Sequence, residues 1–173
     1  MTATTVQGAR VSGLIAEPQT IIGRGLHASV EQIIKLTIEI PTTSSDETGD
    51  ITLFTEVPWE AKIHSILLFN DSLAASAIAT DVGLYKLTKA GTVTVLDADA
   101  YGSAVTGLET AGKVGLEVAF EARNIDKIGN RVIEDAGLTA EPDDGYALLG
   151  ITITTGGTTP AAGTLSVIVK YTM

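Results

Sequence analysis

Cysteine is absent from this 173-residue chain, and aromatic side chains are scarce. Without a thiol the chain can form no disulfide, no zinc-thiolate site and no cysteine nucleophile. Because aromatic residues make up only 5% of the sequence, the core must be built mainly from branched aliphatic side chains, which suit a pleated sheet. Stability is therefore expected to come from packing or from assembly.

Basic side chains are also few. The chain has 11 lysines and arginines, none adjacent to another, and a net charge of -10. Binding to nucleic acid or to an anionic membrane surface needs clustered basic residues, so neither partner is predicted. An acidic protein of this kind suits docking onto a basic protein surface. The N-terminus lacks a signal-peptide pattern and no apolar run could span a bilayer, so we expect the chain to stay in the cytosol unless an assembly carries it out.

Residues 1–32 have an irregular pattern that predicts an extended N-terminal arm. Apolar pairs such as Leu14 with Ile15 and Ile21 with Ile22 lie among frequent glycines. The apolar content is too high for a solvated tail, and the glycines disfavour a helix. Two interpretations are open: the arm covers its own domain, or it wraps a neighbouring subunit.

Residues 33–173 read mainly as β-strands. In residues 33–40 apolar and polar side chains alternate with period two, which indicates a strand with one buried face. A hairpin is predicted where the turn at residues 88–91 separates two alternating runs. Trp59 is interpreted either as a core residue or as an interface anchor. The predicted strands cover residues 33–40, 50–57, 61–70, 81–87, 92–96, 112–121, 146–155 and 164–171, and the last two are expected to pair as a terminal hairpin.

One helix is predicted, over residues 124–137, because apolar residues recur there at helical spacing between a capping residue and a glycine stop. A short helical turn is predicted over residues 97–104, with Asp97 as its N-cap. The apolar positions of the helix are Ile125, Ile128, Val132 and Ile133, with Asn124 at the start and Gly137 at the stop. Strands without intervening helices favour antiparallel pairing in two packed sheets.

The chain is therefore predicted to be mainly β: an antiparallel β-sandwich of jelly-roll type with one short helix and an extended N-terminal arm. Its domains are the arm, residues 1–32, and the sandwich, residues 33–173.

The sequence gives no support for an enzyme, a cofactor or a metal. Its nearest match to a dinucleotide fingerprint, at Gly23, Gly25 and Ala28, follows no full strand and opens no parallel βαβ unit. The two histidines, His27 and His64, are far apart, whereas a transition-metal site needs three or four ligands. No phosphate loop and no serine nucleophile elbow is present.

Asp97, Asp99 and Gly102 partly match a calcium loop. Carboxylates at alternate positions before a glycine can wrap a hard cation. The match fails because the fifth position is Tyr101 and the twelfth is Leu108 instead of glutamate. A turn is the preferred interpretation.

Three stretches resemble tailed-phage head decoration proteins, also called cement proteins, over residues 33–173. They are residues 81–105 (DVGLYKLTKAGTVTVLDADAYGSAV), residues 122–138 (ARNIDKIGNRVIEDAGL) and residues 146–172 (YALLGITITTGGTTPAAGTLSVIVKYT). The resemblance implies a non-enzymatic protein of the virion, located on the head exterior after assembly in the host cytoplasm. It implies that the protein binds the major capsid protein, bridges neighbouring capsomers and forms a homo-oligomer, with a trimer favoured.

The residues expected at the capsid or subunit interface come mainly from the arm. They are Arg10, Leu14, Ile15, Ile21, Ile22, Arg24 and Trp59. An alternative function is a host-attachment or glycan-binding module of a tail or head fibre, and a third is a cellular β-sandwich protein without a viral role.

Overall fold

The computed structural model describes most of residues 33–173 and a few of residues 1–32. The described residues are 5–7 (backbone), 31–40, 48–73, 78–88, 90–112, 115–142, 145–156 and 161–173.

The described residues form two β-sheets and two short helices. In the five-stranded sheet the order is β1-β3-β8-β5-β6, and in the four-stranded sheet it is β2-β9-β4-β7. A 3-10 helix spans Ile125–Gly129 and the α-helix α1 spans Val132–Asp135. The strands are β1 Thr5–Gln7, β2 Gln32–Ile40, β3 Ile51–Pro58, β4 Lys62–Asn70, β5 Ala79–Leu87, β6 Val93–Thr106, β7 Leu116–Glu117, β8 Tyr146–Thr155 and β9 Gly163–Thr172.

Strand pairing is nested about the turn between β5 and β6. Antiparallel pairs join β5 to β6, β4 to β7, β3 to β8 and β2 to β9. These nested antiparallel pairs are distributed over two sheets. Such pairing is typical of the predicted jelly-roll type. The predicted mainly β, antiparallel sandwich is confirmed, and the described residues contain one short α-helix. The backbone of β1 adds a parallel strand to the edge of β3.

The predicted terminal hairpin is wrong, because β8 and β9 lie in different sheets. Strand β8 pairs with β3 on one side and with β5 on the other. Both of its edges are occupied, so it has no position left for β9. The bounds of β8 are nevertheless those predicted.

The core lies between the sheets and is mainly aliphatic. The alternation predicted for residues 33–40 is confirmed in β2, where Ile38 and Ile40 are buried while Lys35, Thr37 and Glu39 are exposed. Strand β9 likewise buries alternate residues. A second, smaller buried cluster consists of Leu53, Tyr85 and Leu148.

The predicted helix over residues 124–137 is two short pieces. Asn130 and Arg131 have extended backbone between them, with ψ angles of 144° and 156°. The predicted stop is present, because Gly137 has φ +67°. The Gly137 N–H donates to the Glu134 carbonyl and the Leu138 N–H to the Ile133 carbonyl, which is a Schellman ending.

The predicted helical turn over residues 97–104 is also wrong, because β6 continues through Val93–Thr106. Between the pairs Leu84 with Asp97 and Val82 with Gly102, β5 advances by two residues and β6 by five. The extra residues form a bulge. Gly83 permits it, since a Cβ there would lie 2.2 Å from the carbonyl oxygens of Asp97 and Ala98.

The predicted strand over residues 112–121 is wrong in its bounds, because in the described residues only Leu116–Glu117 is a strand. Residues 119–121 form a turn, in which the Glu121 N–H donates to the Val118 carbonyl.

Candidate interaction surfaces

The sequence places its predicted contact residues in the arm and at Trp59. Arg10, Leu14, Ile15, Ile21, Ile22 and Arg24 lie outside the described residues, as does His27. Trp59 is fully buried within its own domain, and its carbonyl accepts a hydrogen bond of 3.1 Å from the Ile133 N–H. Its side chain fills the core and offers no surface to a partner in this conformation.

Residues 116–138, the closing segment, run along the side of β4 that β9 does not occupy. After β7, the Val118 N–H donates to the Ile66 carbonyl at 2.9 Å. Further on, the Val132 N–H donates to the Ala61 carbonyl at 2.8 Å. The segment therefore satisfies backbone groups of β4 and of Ala61, the residue before it, without forming a full strand.

At this edge of β4, the Glu117 side chain accepts backbone N–H groups that a paired strand would otherwise bind. One carboxylate oxygen, Oε1, accepts the N–H groups of Ile66 and Ala119, each at 2.9 Å. The other, Oε2, accepts the Ser65 hydroxyl at 2.5 Å. Ionised acceptors make stronger hydrogen bonds than neutral ones, so this side chain fixes the segment where it leaves β7.

Arg123 of the closing segment binds the backbone of β4 near the start of that strand. Its Nη2 donates to the Ile63 carbonyl at 2.8 Å, and its Nη1 donates to Asp135 Oδ2 at 2.6 Å. The Arg123 and Asp135 side chains are only 2% and 3% exposed. The guanidinium also lies over the rings of Tyr101 and Phe120, 4.9 Å and 4.8 Å from their centroids, a cation-π arrangement. One buried cation thus joins β4, β6 and the closing segment.

Tyr101 connects this cluster to the bulge of β6. Its hydroxyl donates to Asp135 Oδ2 at 3.1 Å, and its carbonyl accepts the Ala122 N–H at 2.9 Å. Complete burial raises the pKa of the phenol well above its ordinary value, and the charge of Asp135 raises it further. Because Glu121 accepts the Ser103 N–H, the closing segment holds the edges of both sheets. We call this the closed side of the sandwich.

The acidic residues of β6 provide no metal site. Burial raises the pKa of Asp97, and the neighbouring Asp99 contributes to the same shift. The Asp81 carboxylate of β5 accepts the Ala104 N–H at 2.8 Å. This side chain therefore satisfies a backbone N–H group of β6 beside the bulge. No group of three or more histidine, aspartate or glutamate side chains in the described part of the chain could hold a metal ion. His64 is hydrogen bonded to the Thr172 hydroxyl at 2.9 Å.

The 3-10 helix presents two isoleucines to solvent. Ile125 is 68% exposed and Ile128 is 39% exposed, although the sequence pattern groups both with Val132 and Ile133 as the apolar positions of one helix. Arg131 beside them pairs with Glu60 at 3.0 Å and with Glu134 at 3.2 Å. These hydrogen bonds raise the pKa of Arg131, and the Arg131 backbone N–H lowers the pKa of Glu134. An apolar turn next to fixed charges is a candidate contact surface.

The opposite side of the sandwich carries strand β2. In the described residues this nine-residue strand pairs with β9 and with no second strand, in a register that is continuous from Gln32 to Ile40. We call this the open side.

None of the helices in the described ranges is long and apolar enough to cross a membrane.

Comparisons with known proteins support the fold. No protein-family model matches the chain, and no curated protein matches its sequence. A chain of the solved structure "Capsid of Ralstonia phage GP4" is similar, with a TM-score of 0.70 over 98% of both chains at 16% identity. The chain has a fold found in phage capsids. A chain of "Cyanophage Pam1 capsid asymmetric unit" has a TM-score of 0.52, covering 88% of this chain and 90% of that one, at 20% identity.

Proposed function

We propose that the protein is a non-enzymatic structural protein of a phage head, which binds the outer surface of the shell and stabilises it by bridging neighbouring capsomers. The observation that carries the proposal is the fold shared along 98% of both chains with a chain of the Ralstonia phage GP4 capsid structure. The resemblance of residues 33–173 to head decoration proteins leads to the same role.

The partner in this proposal is the major capsid protein, and copies of the chain associate with one another, a trimer being the arrangement that the resemblance favours. The net charge of -10 suits a basic shell surface. Contacts that are individually weak become strong when several copies bind in a symmetric array. The virion head is then the location of the protein, after assembly in the host cytoplasm.

Two sets of contacts are proposed. The first consists of the arm residues Arg10, Leu14, Ile15, Ile21, Ile22 and Arg24. The second is the exposed turn, where Ile125 and Ile128 present apolar surface beside the Arg131 ion pairs.

A glycan-binding role has less support, because sugar binding relies on exposed aromatic platforms. In the described residues, Trp59, Tyr85 and Tyr101 are fully buried.

The test uses shells of the major capsid protein from the same phage, prepared without the chain. Purified protein is added, bound copies are counted by mass spectrometry, and the disruption temperature of the shells is measured. We expect saturable binding at a fixed number of copies per capsomer and a higher disruption temperature. A few copies per particle, or an unchanged disruption temperature, would contradict the proposal.

Variants then separate the two contact sets. Serine replaces Leu14, Ile15, Ile21 and Ile22 in one variant and Ile125 with Ile128 in the other. We expect each to bind less, with unchanged thermal unfolding of the free protein. The matched control is Val95→Ser, which removes an exposed apolar side chain from β6. Undiminished binding by a contact variant would remove that set from the proposal.

A further inference from the structure

The four sheet edges of the sandwich differ in how they prevent pairing with another chain. An exposed edge strand presents unpaired N–H and C=O groups, and proteins block it with short strands, bulges or covering segments. Strand β7 is two residues long and belongs to the closing segment. Strand β6 has three register irregularities against β5, and β1 is three residues long.

Among the residues that the structure describes, strand β2 has none of these features. It is nine residues long, its register with β9 has no shift, and its exposed side chains alternate regularly with the inward ones. Two of the exposed side chains, Lys35 and Glu39, carry opposite charges four residues apart. A strand of this kind can extend its sheet by pairing with a second strand.

The side chains of β2 are complementary to themselves in one antiparallel register. When Thr37 lies opposite Thr37 of a second copy, Lys35 of each copy lies opposite Glu39 of the other. The pair therefore contains two facing opposite charges. On the inward face Leu36 then lies opposite Ile38, and Ile34 opposite Ile40. Opposite charges and apolar pairs facing each other across strands are both stabilising.

Other registers lose this match. A shift by one residue places the exposed face of one copy opposite the buried face of the other. If the residue that lies opposite itself is 36 or 38 instead of 37, exposed side chains still face exposed ones. Lys35 then no longer lies opposite Glu39.

We propose that β2 binds β2 of a second copy of this chain, antiparallel, about a two-fold axis at Thr37. The four-stranded sheet is then continuous across the two copies. The inference does not rest on the proposed function, because it concerns the protein alone, and a two-fold contact can link copies that belong to neighbouring oligomers.

Cysteine cross-linking tests the register directly, since the natural chain has no cysteine. Opposed Cα atoms in an antiparallel pair are about 4.5–5.5 Å apart, which is within reach of a disulfide. Thr37→Cys should therefore cross-link into a dimer in a glutathione redox buffer. Lys35→Cys alone and Glu39→Cys alone should not, because each thiol lies about four residues, or roughly 13 Å, from its own equivalent. An equal mixture of these two variants should cross-link.

Random collision predicts equal cross-linking for all of these exposed sites. That result would overturn the proposal, as would a Thr37→Cys variant that stays monomeric.

Charge reversal provides an independent test by sedimentation equilibrium. Lys35→Glu and Glu39→Lys each convert two attractive pairs into repulsive ones, so each should raise the dissociation constant of the dimer by about tenfold. The double variant should restore it. If general repulsion between the acidic chains governed association, Glu39→Lys would associate more tightly, because it lowers the net negative charge. Lys127→Glu on the exposed 3-10 helix is the matched control for Lys35→Glu, since it changes the net charge by the same amount away from β2. Absence of self-association in the natural chain, or no restoration by the double variant, would overturn the proposal.

Discussion

The closed side and the open side of the sandwich end their sheets by different means. On the closed side, the side chains of Glu117 and Arg123 bond to the backbone of β4, and the bulge of β6 disrupts regular pairing. On the open side, β2 keeps a regular nine-residue backbone with exposed Lys35 and Glu39. The closed side therefore depends on particular polar contacts within the chain, while the open side retains the regular geometry needed for a partner strand.

The largest expected effect is the loss of the buried cation on the closed side. Arg123→Met leaves Asp135 buried without its positive partner and the Ile63 carbonyl without its donor. The free energy of unfolding should fall by about 3–5 kcal/mol, measured by urea denaturation.

The control is Arg131→Met, which breaks exposed ion pairs and should cost much less. The double variant Arg123→Met with Asp135→Asn carries no unpaired buried charge, so it should be more stable than Arg123→Met alone. Equal stability of Arg123→Met and Arg131→Met would show that the buried pair does not stabilise the closed side.

The bulge of β6 should be nearly as sensitive. Gly83→Ala places a Cβ 2.2 Å from two backbone carbonyl oxygens of the bulge, which only a backbone shift can relieve. A loss of about 1–3 kcal/mol is expected from thermal or urea unfolding. Gly129→Ala is the matched control, since no atom lies within 4 Å of its added Cβ, and it should leave stability unchanged or raise it slightly. Tolerance of Gly83→Ala would mean that the bulge can move freely.

Glutamates at the two edges of the same sheet give a direct comparison of the sides. Glu117→Ala removes the acceptor of two backbone N–H groups, and we expect a loss of about 1–2 kcal/mol in urea denaturation. Glu39→Ala on β2 should change the stability of the monomer by less than about 0.5 kcal/mol. Equal losses would contradict the distinction between the sides.

The sequence predicts the open side better than the closed side. Strands β2, β8 and β9 are recognised because regular alternation or a continuous apolar run reflects the burial of their faces, a local property. The helix over residues 124–137 is mispredicted because spacing alone does not reveal which apolar residues reach the core. Val132 and Ile133 reach it, whereas Ile125 and Ile128 do not. The break at Asn130 separates the two pairs.

The closed side depends on contacts between distant residues, which local patterns do not contain. Arg123 meets Tyr101 and the Ile63 carbonyl only because the closing segment joins two sheets. The bulge of β6 likewise depends on Gly83 in the neighbouring strand. The sequence offers one signal that could have drawn attention to Arg123, a lone basic residue shortly after an apolar run. The predicted arm contacts stay predictions.

The smallest expected effect concerns the acidic residues of the β6 bulge. The pKa of Asp97 is raised from its ordinary value of 3.8, first by burial and then by Asp99. The folded chain therefore holds this proton at higher pH than the unfolded chain, and its stabilising contribution, present in full below about pH 3.8, is lost as the pH rises through the raised value. Asp97→Asn should raise the melting temperature at pH 7 slightly, and the gain should vanish toward pH 3.8. Asp126→Asn, which removes the same charge from the exposed 3-10 helix, is the matched control. A gain from Asp97→Asn that is larger at pH 4 than at pH 7 would contradict a raised pKa of Asp97 in the folded chain.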